Sequence, residues 1–370
     1  MIVIQCCQYA APYKGAFINS LQRLEELNQG KIHFVYVFPE DTKATPWINQ
    51  FMGDHKVFFT KNDVRESVAE LFEIFKNVKP TIVHTHFDGY DIPVTHAKNE
   101  YLRATKVDVK LIWHLHNTIE YQSNFVKRFY QFFVFKYHYG LLAKKVNIVS
   151  VSKGMVLFLN KFGNRNRLRL STDVIPNGVK LPENVSFKFH NDSLVFGAFG
   201  GRNVQKRIDL LLEASANLIM RGLKFRVVIT KGVDTNEIVS KFFAGKQPEW
   251  LTLIDQTDDI GNFFNMINCF VSTSAHETFS FAILEATFYN VPVLQSNISG
   301  TLWNADRPST FLFESLNSNN LSEKMEEILV FKQEKLSKLC LKTKEINRMQ
   351  YDVDIWCTKI NDFYYKIHTI

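Results

Sequence analysis

The sequence of 370 residues lacks several features that would define its class at once. It has only five cysteines, and none has the paired C-x-x-C spacing of zinc or redox sites, so we expect reduced and mostly buried thiols. No uninterrupted apolar run approaches the length of about 18 residues that a membrane-spanning helix requires. The first residues lack a basic segment followed by a long apolar stretch, which predicts a first strand and no signal peptide. These absences favour a cytoplasmic globular protein.

Charged residues are also scarce, at 22% of the chain, whereas hydrophobic residues make up 46%. Length and apolar content together are sufficient for two hydrophobic cores. The net charge of +7 is uneven, because residues 1–185 carry 24 Lys and Arg against 16 Asp and Glu, whereas residues 186–370 carry 20 against 21. The excess of positive charge is N-terminal, where it would attract nucleic acid, anionic lipid or a phosphorylated substrate.

Apolar runs alternate with helical patterns along both halves of the chain, and this alternation predicts parallel sheets. In the first half the predicted segments are Met1–Cys6, Phe17–Leu27, Lys31–Phe38, Val64–Asn77, Thr81–Thr85, Val109–His114 and Asn147–Val151. A second series begins at Leu194 and continues with Ile208–Met220, Phe225–Thr230, Leu251–Ile254, Ile260–Met266 and Cys269–Thr273. We therefore expect an α/β protein with two Rossmann-like, doubly wound parallel-sheet domains that face a cleft.

The polar stretch Leu181–Asp192 is the predicted linker between the two domains. The N-terminal domain then covers residues 1–182 and the C-terminal domain covers residues 193–351. In doubly wound folds ligands bind beyond the carboxyl ends of the strands. Functional residues are therefore expected in the loops that follow the predicted strands.

Two carboxylates, Glu277 and Glu285, lie around the predicted start of a helix. A strand and a polar loop precede it, and Ser280 is a suitable N-cap for a helix over about Phe281–Tyr289. The free N–H groups at such a helix start favour a phosphate, which a carboxylate would repel. Glu277 and Glu285 are therefore expected to accept hydrogen bonds from hydroxyl groups on either side of that phosphate. The alternative is a solvated pair without a role in binding.

The segment Glu277-Thr-Phe-Ser-Phe-Ala-Ile-Leu-Glu-Ala286 resembles the E-x7-E motif of family 4 retaining glycosyltransferases, with Thr278 and Ser280 in place of two glycines. Other segments resemble further motifs of that family in the same order: Ile148–Lys153, Val174–Val179, Phe199–Ala214 and Asn290–Leu294. The resemblance implies the GT-B fold, in which the C-terminal helix, here about residues 352–370, packs back on the N-terminal domain.

The resemblance also implies an activity. A sugar would be transferred with retention of configuration from a nucleoside diphosphate donor, expected to be UDP-linked, to a lipid-linked or polymeric glycan acceptor, as in bacterial surface polysaccharide synthesis. Neither a metal ion nor a cofactor is expected. In the commonest account of this reaction the departing phosphate helps to deprotonate the acceptor, while the protein positions groups and stabilises charge.

Residue roles in the C-terminal domain follow from the resemblance. Arg202 and Lys206 would stabilise the diphosphate, Glu277 would hold sugar hydroxyls and Glu285 would hold the ribose. The family usually spaces its two cations by five residues, which would select Arg207, but the residues after Lys206 match those after the family's lysine. The expected donor-binding set is Gly15, Arg202, Lys206, Arg207, Thr278, Phe279, Ser280 and Glu285, and the expected catalytic set is His116, Arg202, Lys206 and Glu277.

Two loops of the N-terminal domain carry further candidates. The resemblance makes Ala11–Phe17 the loop that meets the donor phosphate, where Gly15 allows close approach of the backbone. An ordinary strand-to-helix turn is the alternative. By resemblance His116 contacts the donor sugar, and His114 competes with it because alternation along a strand gives both residues the same facing.

Two short polar motifs raise the question of a metal. His84 and His86 are two residues apart, but no third ligand of suitable spacing accompanies them, so acceptor contact or loop packing is expected. Asp258 and Asp259 imitate the acidic pair of metal-dependent glycosyltransferases, but the segment Thr257–Ile260 indicates a helix N-terminus. No metal site is predicted.

The segment Phe125–Tyr139, followed by Lys144 and Lys145, interleaves aromatic residues with cations at helical spacing. Membrane-surface helices have such a composition. A core helix with a basic outer edge is the alternative, because the aromatic residues occur all around the helix. Lipid contact and core packing can coexist, so peripheral contact of residues 121–145 with the inner face of a membrane stays open beside the core helix, and nucleic acid is not expected as a partner.

Two other functions fit the same fold. One is a non-catalytic GT-B partner of an active glycosyltransferase, against which the presence of Arg202, Lys206, Glu277 and Glu285 argues. The other is a nucleotide-sugar epimerase, which would release a changed sugar without any acceptor.

Overall fold

The computed structural model describes residues 1–116, 125–166, 170, 172–182, 193–257 and 259–369. The chain forms two compact units, one of Met1–Gly178 with Val353–Ile370 and one of Val179–Asp352. The boundaries expected from the sequence were 1–182 and 193–351. Most of the predicted linker lies outside the described residues, as do Asp258 and residues 121–124 of the aromatic segment.

The N-terminal unit is built on a parallel sheet. Its strands in the described residues are β1 (Ile2–Cys7), β2 (His33–Pro39), β3 (Val57–Thr60), β4 (Ile82–His86), β5 (Lys110–Leu115), β6 (Asn147–Ser150) and β7 (Thr172–Val174). Their order across the sheet is β3-β2-β1-β4-β5-β6-β7. The central strands are almost fully buried, as in sheets that helices cover on both faces.

Helices connect these strands. They are α1 (Gly15–Glu26), α2 (Ile48–Asp54), α3 (Val64–Val78), α4 (Asp91–Thr105), α5 (Phe125–Phe135) and α6 (Lys153–Asn166), with short 3₁₀ helices at Glu40–Ala44 and Leu142–Lys145 and a π-helical turn at Lys136–Leu141. The sequence of α3 shows why it begins and ends where it does. The Asp63 carboxylate accepts from the backbone N–H groups of Arg65 and Glu66, and Lys79 ends the helix in the left-handed conformation.

The C-terminal unit repeats the architecture. Its strands are β8 (Val195–Phe199), β9 (Arg226–Thr230), β10 (Leu251–Ile254), β11 (Cys269–Ser272), β12 (Val293–Ser296) and β13 (Thr310–Phe313), in the order β10-β9-β8-β11-β12-β13. Its helices are α7 (Asn203–Lys206), α8 (Ile208–Met220), α9 (Thr235–Phe242), α10 (Ile260–Met266), α11 (Phe281–Phe288), α12 (Ser318–Leu329) and α13 (Gln333–Tyr351), with a 3₁₀ helix at Ser299–Asn304. Val227 and Ile229 join one core cluster and Val228 joins the other, because strand residues alternate between the faces of the sheet.

The chain ends in α14 (Val353–Thr369), which belongs to the N-terminal unit. It packs against α1 and buries Trp356 and Tyr364, among others. The Arg23 guanidinium of α1 donates two hydrogen bonds to the Asp354 carboxylate, at 2.7 and 3.0 Å. None of the helices that the structure describes is long and apolar enough to span a membrane.

In each sheet the strand order reverses at one point, between β1 and β4 in the first and between β8 and β11 in the second. Ligands of doubly wound folds bind beyond the carboxyl ends of the strands at such a reversal. The loops that follow these strands are therefore the places in each unit where function is expected on topology alone.

The fold class predicted from the sequence is confirmed, since both sheets are parallel and doubly wound. The predicted bounds of α8, β10 and α10 agree with the structure. The Asp259 side chain accepts from the Asn262 backbone N–H at 3.3 Å, so the predicted helix N-terminus at this position is confirmed.

Candidate functional site

In the C-terminal unit, the loops that follow β8 and β11 lie side by side. The Ala275 backbone N–H donates to the Gln205 carbonyl at 2.8 Å, and the Thr273 hydroxyl donates to the Lys206 carbonyl at 2.7 Å. These bonds fasten the loop after β11 to α7, the short helix after β8. Side chains that are far apart in the sequence meet here as a result.

Lys206 and Glu277 form an ion pair in this neighbourhood. Lys206 Nζ lies 2.7 Å from Glu277 Oε1, and the Ser274 hydroxyl donates to the same oxygen at 2.9 Å. The two side chains are 26% and 10% exposed, so the pair is sheltered but reachable. An ammonium has three N–H groups and a carboxylate has two oxygens, which leaves donors and an acceptor for a ligand.

Glycines fix the backbone around this pair. A Cβ atom at position 300 would lie 1.7 Å from the Glu277 carbonyl oxygen, so only glycine fits there. At position 200 a Cβ would lie 2.2 Å from the Thr230 carbonyl oxygen. Both loops are therefore held by close backbone contacts that a side chain would disrupt.

The other two candidate cations are placed differently. Arg207, in the left-handed conformation, forms a two-point pair with Asp209, at 3.0 Å through Nε and 2.8 Å through a terminal nitrogen. Arg202 is the N-cap of α7, and its exposed side chain forms no ion pair with any described residue. Of the two residues left open by the sequence, Lys206 is the one beside Glu277.

Glu285 lies in α11 and is only 7% exposed. Burial raises the pKa of its carboxyl to about 8. Among the described residues we find no donor or cation that pairs with it. Because an unpaired buried carboxyl is unfavourable, such a group is typical of a site that a ligand completes.

The start of α11 was predicted correctly. Ser280 is the N-cap, and its hydroxyl accepts from the Ile283 backbone N–H at 3.5 Å. Thr278, Phe279 and Ser280 are all buried, and the Phe279 ring stacks on Trp303 at 4.7 Å. The first N–H groups of a helix have no partner within it, which suits an anion at this position. Phosphate binding here stays a prediction.

In the N-terminal unit the corresponding region is lined by four buried histidines. His84 and His86 lie on β4, His114 lies on β5, and His116 follows it. His84 Nε2 is 3.2 Å from His114 Nδ1, and His86 Nδ1 is 3.2 Å from His116 Nε2. Burial lowers the pKa of all four rings, to about 3 for His114, and neighbouring imidazoles lower it further for the other three. The rings are therefore neutral at pH 7.

The expectation that His84 and His86 have no third ligand nearby is wrong. Nitrogens of His84, His86 and His114 all lie within 4.8 Å of one another. Spacing along the chain misses this partner because it comes from the neighbouring strand, where the register places His114 opposite His86. Both ring nitrogens of His84 and of His86 are nevertheless engaged in hydrogen bonds, which a metal ion would have to displace.

Aromatic rings enclose His116, with Phe87 at 4.7 Å and Phe17 at 5.3 Å between centroids. Phe87 has a φ of 66°, an unfavourable conformation for a residue with a side chain. Gly15 has a φ of 60° and begins α1, two residues before Phe17. His114 is fully buried and His116 is 9% exposed, so His116 is the more accessible of the two.

Most of the aromatic residues of α5 are exposed. We call the stripe Val126, Phe129, Tyr130, Phe133 and Tyr137 the aromatic surface; its members are 40% to 74% exposed and recur at helical spacing. Exposed lysines accompany it at positions 127, 136, 144 and 145. Residues 121–172 carry ten Lys or Arg and no Asp or Glu. A core helix does not predict this exposure.

Several residues of these sites did not emerge from the sequence. Gln5 is the one polar residue in an otherwise apolar first strand, which is a usable signal. Gly300 carries none, because its role depends on the Glu277 carbonyl, which only the fold brings near. Ser274 is three residues from Glu277, but a serine in a polar loop does not by itself indicate this hydrogen bond. Tyr364, which hydrogen-bonds to Gln5 and His84, comes from the last helix and has no motif around it.

Comparison with known proteins bears on the C-terminal unit first. Residues 192–330 match the family model described as Glycosyl transferases group 1. The capsular polysaccharide biosynthesis glycosyltransferase CapM of Staphylococcus aureus is 24% identical over 195 residues, which are 51% of this chain and 50% of CapM. The chain thus spans about half the length of this curated relative.

Solved structures resemble the whole chain. A glycosyltransferase from Rickettsia africae has a TM-score of 0.78 at 15% identity and covers 99% of this chain and 98% of its own. Alr3699/HepE of Anabaena, solved in complex with UDP-glucose, has a TM-score of 0.77 at 15% identity and covers 99% and 100%. The chain therefore has the GT-B fold.

Proposed function

We propose that this chain is a retaining glycosyltransferase that moves a sugar from a UDP-linked donor to a lipid-linked or polymeric glycan acceptor in the synthesis of a surface polysaccharide. The observation that carries the proposal is the grouping in the C-terminal unit. Lys206, which follows β8, pairs with the sheltered Glu277, and this carboxylate and the unpaired, buried Glu285 lie on the loop and helix that follow β11, at the reversal of strand order. Cations suit a diphosphate, and carboxylates suit hydroxyls.

Each residue then has a distinct role. Lys206 and the exposed Arg202 neutralise the diphosphate, and the N–H groups at the start of α11 add to them. Glu277, held by Lys206 and Ser274, accepts from sugar hydroxyls. Glu285 accepts from ribose hydroxyls, which supply the donors that its buried carboxyl lacks. No residue acts as a covalent nucleophile, so charge stabilisation and positioning lower the barrier without a metal ion.

The comparisons support the class of donor and product. The matched family model covers this same unit, HepE was solved with UDP-glucose, and CapM is named for capsular polysaccharide biosynthesis. By resemblance, Gly15 is proposed to approach the donor phosphate and His116 to contact the donor sugar.

The test begins with binding and ends with products. We expect UDP to bind in calorimetry more tightly than GDP, and Glu285→Ala to weaken UDP binding, whereas Glu237→Ala, at an exposed surface pair of the same unit, leaves it unchanged. A screen of UDP-sugars should then show slow donor hydrolysis. A changed sugar released without acceptor would instead identify an epimerase, and UDP binding without any turnover would identify a non-catalytic partner.

The N-terminal unit is proposed to meet the acceptor at a membrane. Its aromatic surface carries exposed rings of the kind that enter the headgroup region, and ten cations without a carboxylate over residues 121–172 suit anionic lipid. Each cation near such a surface contributes about 1 kcal/mol at moderate salt. An anionic bilayer is the proposed occupant because exposed aromatic rings beside unopposed cations suit the headgroup region, where the rings are buried and the lysines meet lipid phosphates.

Vesicle flotation tests the membrane contact. We expect the protein to float with phosphatidylglycerol vesicles at low salt and to remain largely free with phosphatidylcholine. Replacing Phe129, Tyr130 and Phe133 together by serine should reduce binding roughly 100-fold or more, since each buried aromatic ring contributes about 1 kcal/mol or more and about 1.4 kcal/mol is tenfold. Phe242→Ser, at an exposed ring of the other unit, is the matched control. Equal flotation of the triple variant and the control would contradict this role.

A further inference from the structure

A continuous chain of hydrogen bonds runs beneath His116. Gln5 Nε2 donates to the Tyr364 hydroxyl at 2.9 Å, and Gln5 Oε1 lies 2.8 Å from His86 Nε2. His86 Nδ1 lies 3.2 Å from His116 Nε2. Gln5, Tyr364 and His86 are fully buried. Gln5 therefore links the last helix of the chain to the candidate histidine.

The direction of each bond in this chain can be deduced. An amide oxygen can only accept, so His86 Nε2 must carry the hydrogen that Gln5 Oε1 receives. A neutral imidazole has a single N–H, and so His86 Nδ1 is an acceptor. His116 Nε2 must then be the donor between those two rings. The remaining nitrogen, His116 Nδ1, is an acceptor, and it is buried without a partner among the described residues.

The second branch agrees with this assignment. Because the Tyr364 oxygen accepts from Gln5, its own hydrogen is free to donate to His84 Nδ1 at 2.7 Å. His84 Nε2 then donates to His114 Nδ1 at 3.2 Å. Every contact in the two branches thus has one donor and one acceptor. Rotating the Gln5 amide by a half turn would reverse the His86–His116 bond and place hydrogen on His116 Nδ1.

We propose that Gln5 and Tyr364 are positioning residues that fix the tautomer of His116 through His86, so that His116 offers Nδ1 as a hydrogen-bond acceptor. The ligand of this atom rests on the proposed function, under which it accepts from a hydroxyl group of the donor sugar. With this tautomer the substrate hydroxyl donates to Nδ1, whereas with the opposite tautomer the hydroxyl would have to turn and accept from Nδ1–H. The tautomer of His116 thus depends on Tyr364, which lies 359 positions from Gln5 along the chain.

A metal ion is the rival occupant of the histidine cluster, since three of its rings approach one another. Binding would break at least one hydrogen bond of His84 and one of His86, because both nitrogens of each ring are engaged, and buried partner groups would be left unpaired. The hydrogen-bonded arrangement satisfies these groups without an ion. The metal-bound and the hydrogen-bonded clusters can be distinguished by NMR, because a metal ligand and a hydrogen-bond acceptor give different ring nitrogen signals.

The test is ¹⁵N NMR of the histidine-labelled full chain at neutral pH, with the His116 signals assigned through His116→Gln. We expect His116 in the wild type to show a protonated Nε2 and an unprotonated Nδ1. Tyr364→Phe removes the anchor of the Gln5 amide and should give a mixture of both tautomers. Tyr90→Phe is the matched control, because it also deletes one buried hydroxyl, bonded to Thr60, of the same unit. Gln5→Leu replaces Tyr364→Phe if that variant does not fold.

Turnover is measured on the same proteins. We expect Tyr364→Phe to lower kcat/KM for the sugar donor about 5- to 10-fold with UDP affinity unchanged, and Tyr90→Phe to leave both unchanged. The inference is overturned by an Nδ1-protonated His116 in the wild type, by a single unchanged tautomer in Tyr364→Phe, or by stoichiometric Zn²⁺ shifting the His84, His86 and His114 signals together. The spectra need no substrate, so an inactive protein with the expected tautomers would refute the proposed function alone.

Discussion

The two units place different chemistry at equivalent points of one topology. At the reversal of strand order the N-terminal unit has neutral histidines linked by hydrogen bonds, whereas the C-terminal unit has the Lys206–Glu277 ion pair, the exposed Arg202 and the buried Glu285. The first arrangement suits a neutral polar group, and the second suits an anion with hydroxyls beside it. Topology therefore determines where a site lies, and the loop residues determine what it binds.

The contrast also concerns pH. Burial lowers the pKa of the histidines and raises that of Glu285, because it disfavours the charged form in both cases. For an imidazole the charged form has the extra proton, and for a carboxyl it lacks one. A fall in pH should therefore destabilise the fold through the histidines, whereas a rise in pH should destabilise it through Glu285.

The largest effect is expected from acid on the histidines. The unfolded chain binds protons at these residues near pH 6.5, whereas the folded chain does so only at a much lower pH, so stability falls as the pH falls below 6.5. Each ring contributes up to about 1.4 kcal/mol per pH unit. We expect urea unfolding at pH 7.5 and 5.5 to show this loss, and His116→Gln, which keeps a donor toward His86, to lose less.

The control for this comparison is His33→Gln, at an exposed residue of β2. Its loss of stability between pH 7.5 and 5.5 should equal that of the wild type. If His116→Gln and His33→Gln behave alike, the His116 ring is not held neutral by its surroundings, and the contrast between the two units loses its basis.

The next effect tests the charged site. Lys206→Ala should lower kcat roughly 10²- to 10³-fold, the range observed when one group that stabilises developing charge is removed. It also leaves the Glu277 carboxylate without its cation beside the proposed diphosphate. Arg207→Ala should have a smaller effect, because that guanidinium is paired with Asp209.

Initial rates with a UDP-sugar at saturating concentration measure these differences, and Lys241→Ala, at an exposed helical pair, serves as the control. If Arg207→Ala were the more damaging variant, the role at the diphosphate would pass from Lys206 to Arg207. If Lys206→Ala also lowers Tm, its loss of rate reflects a structural role. An unchanged Tm would assign the loss of rate to catalysis.

Local features of this fold were predictable because their causes are local. The hydrophobic spacing of Ile208–Met220 predicted α8. The hydroxyl of Ser280 before an apolar run predicted the N-cap of α11. The candidate residues Glu277 and Glu285 were found in the same way. These patterns involve residues that are near one another in the sequence.

Contacts between distant residues were not predictable from one sequence. The spacing of His84 and His86 gave no hint of His114, because strand register depends on how whole strands pack. Lys206 and Glu277 were expected to bind different parts of a ligand, and in the structure they bind each other. Tyr364 reaches the histidines only because the last helix belongs to the first unit.

The last effect of the comparison lies at Glu285 and has the opposite pH direction. Below pH 4.5 this carboxyl is protonated in both states, but as the pH rises toward 8 the unfolded chain releases its proton while the folded chain retains it, so the wild type loses stability. Glu285→Gln avoids this loss and should be more stable by about 4 kcal/mol at pH 8, with little difference at pH 4.5. Glu237→Gln, at an exposed carboxylate, should show no such gain.

Saturating UDP should reverse the order of stability of the wild type and Glu285→Gln at pH 8, because only the wild type binds it well. A Glu285→Gln variant that is less stable than the wild type at pH 8 would mean that the folded chain already stabilises the charged carboxylate, and the two sites would then respond to pH in the same direction.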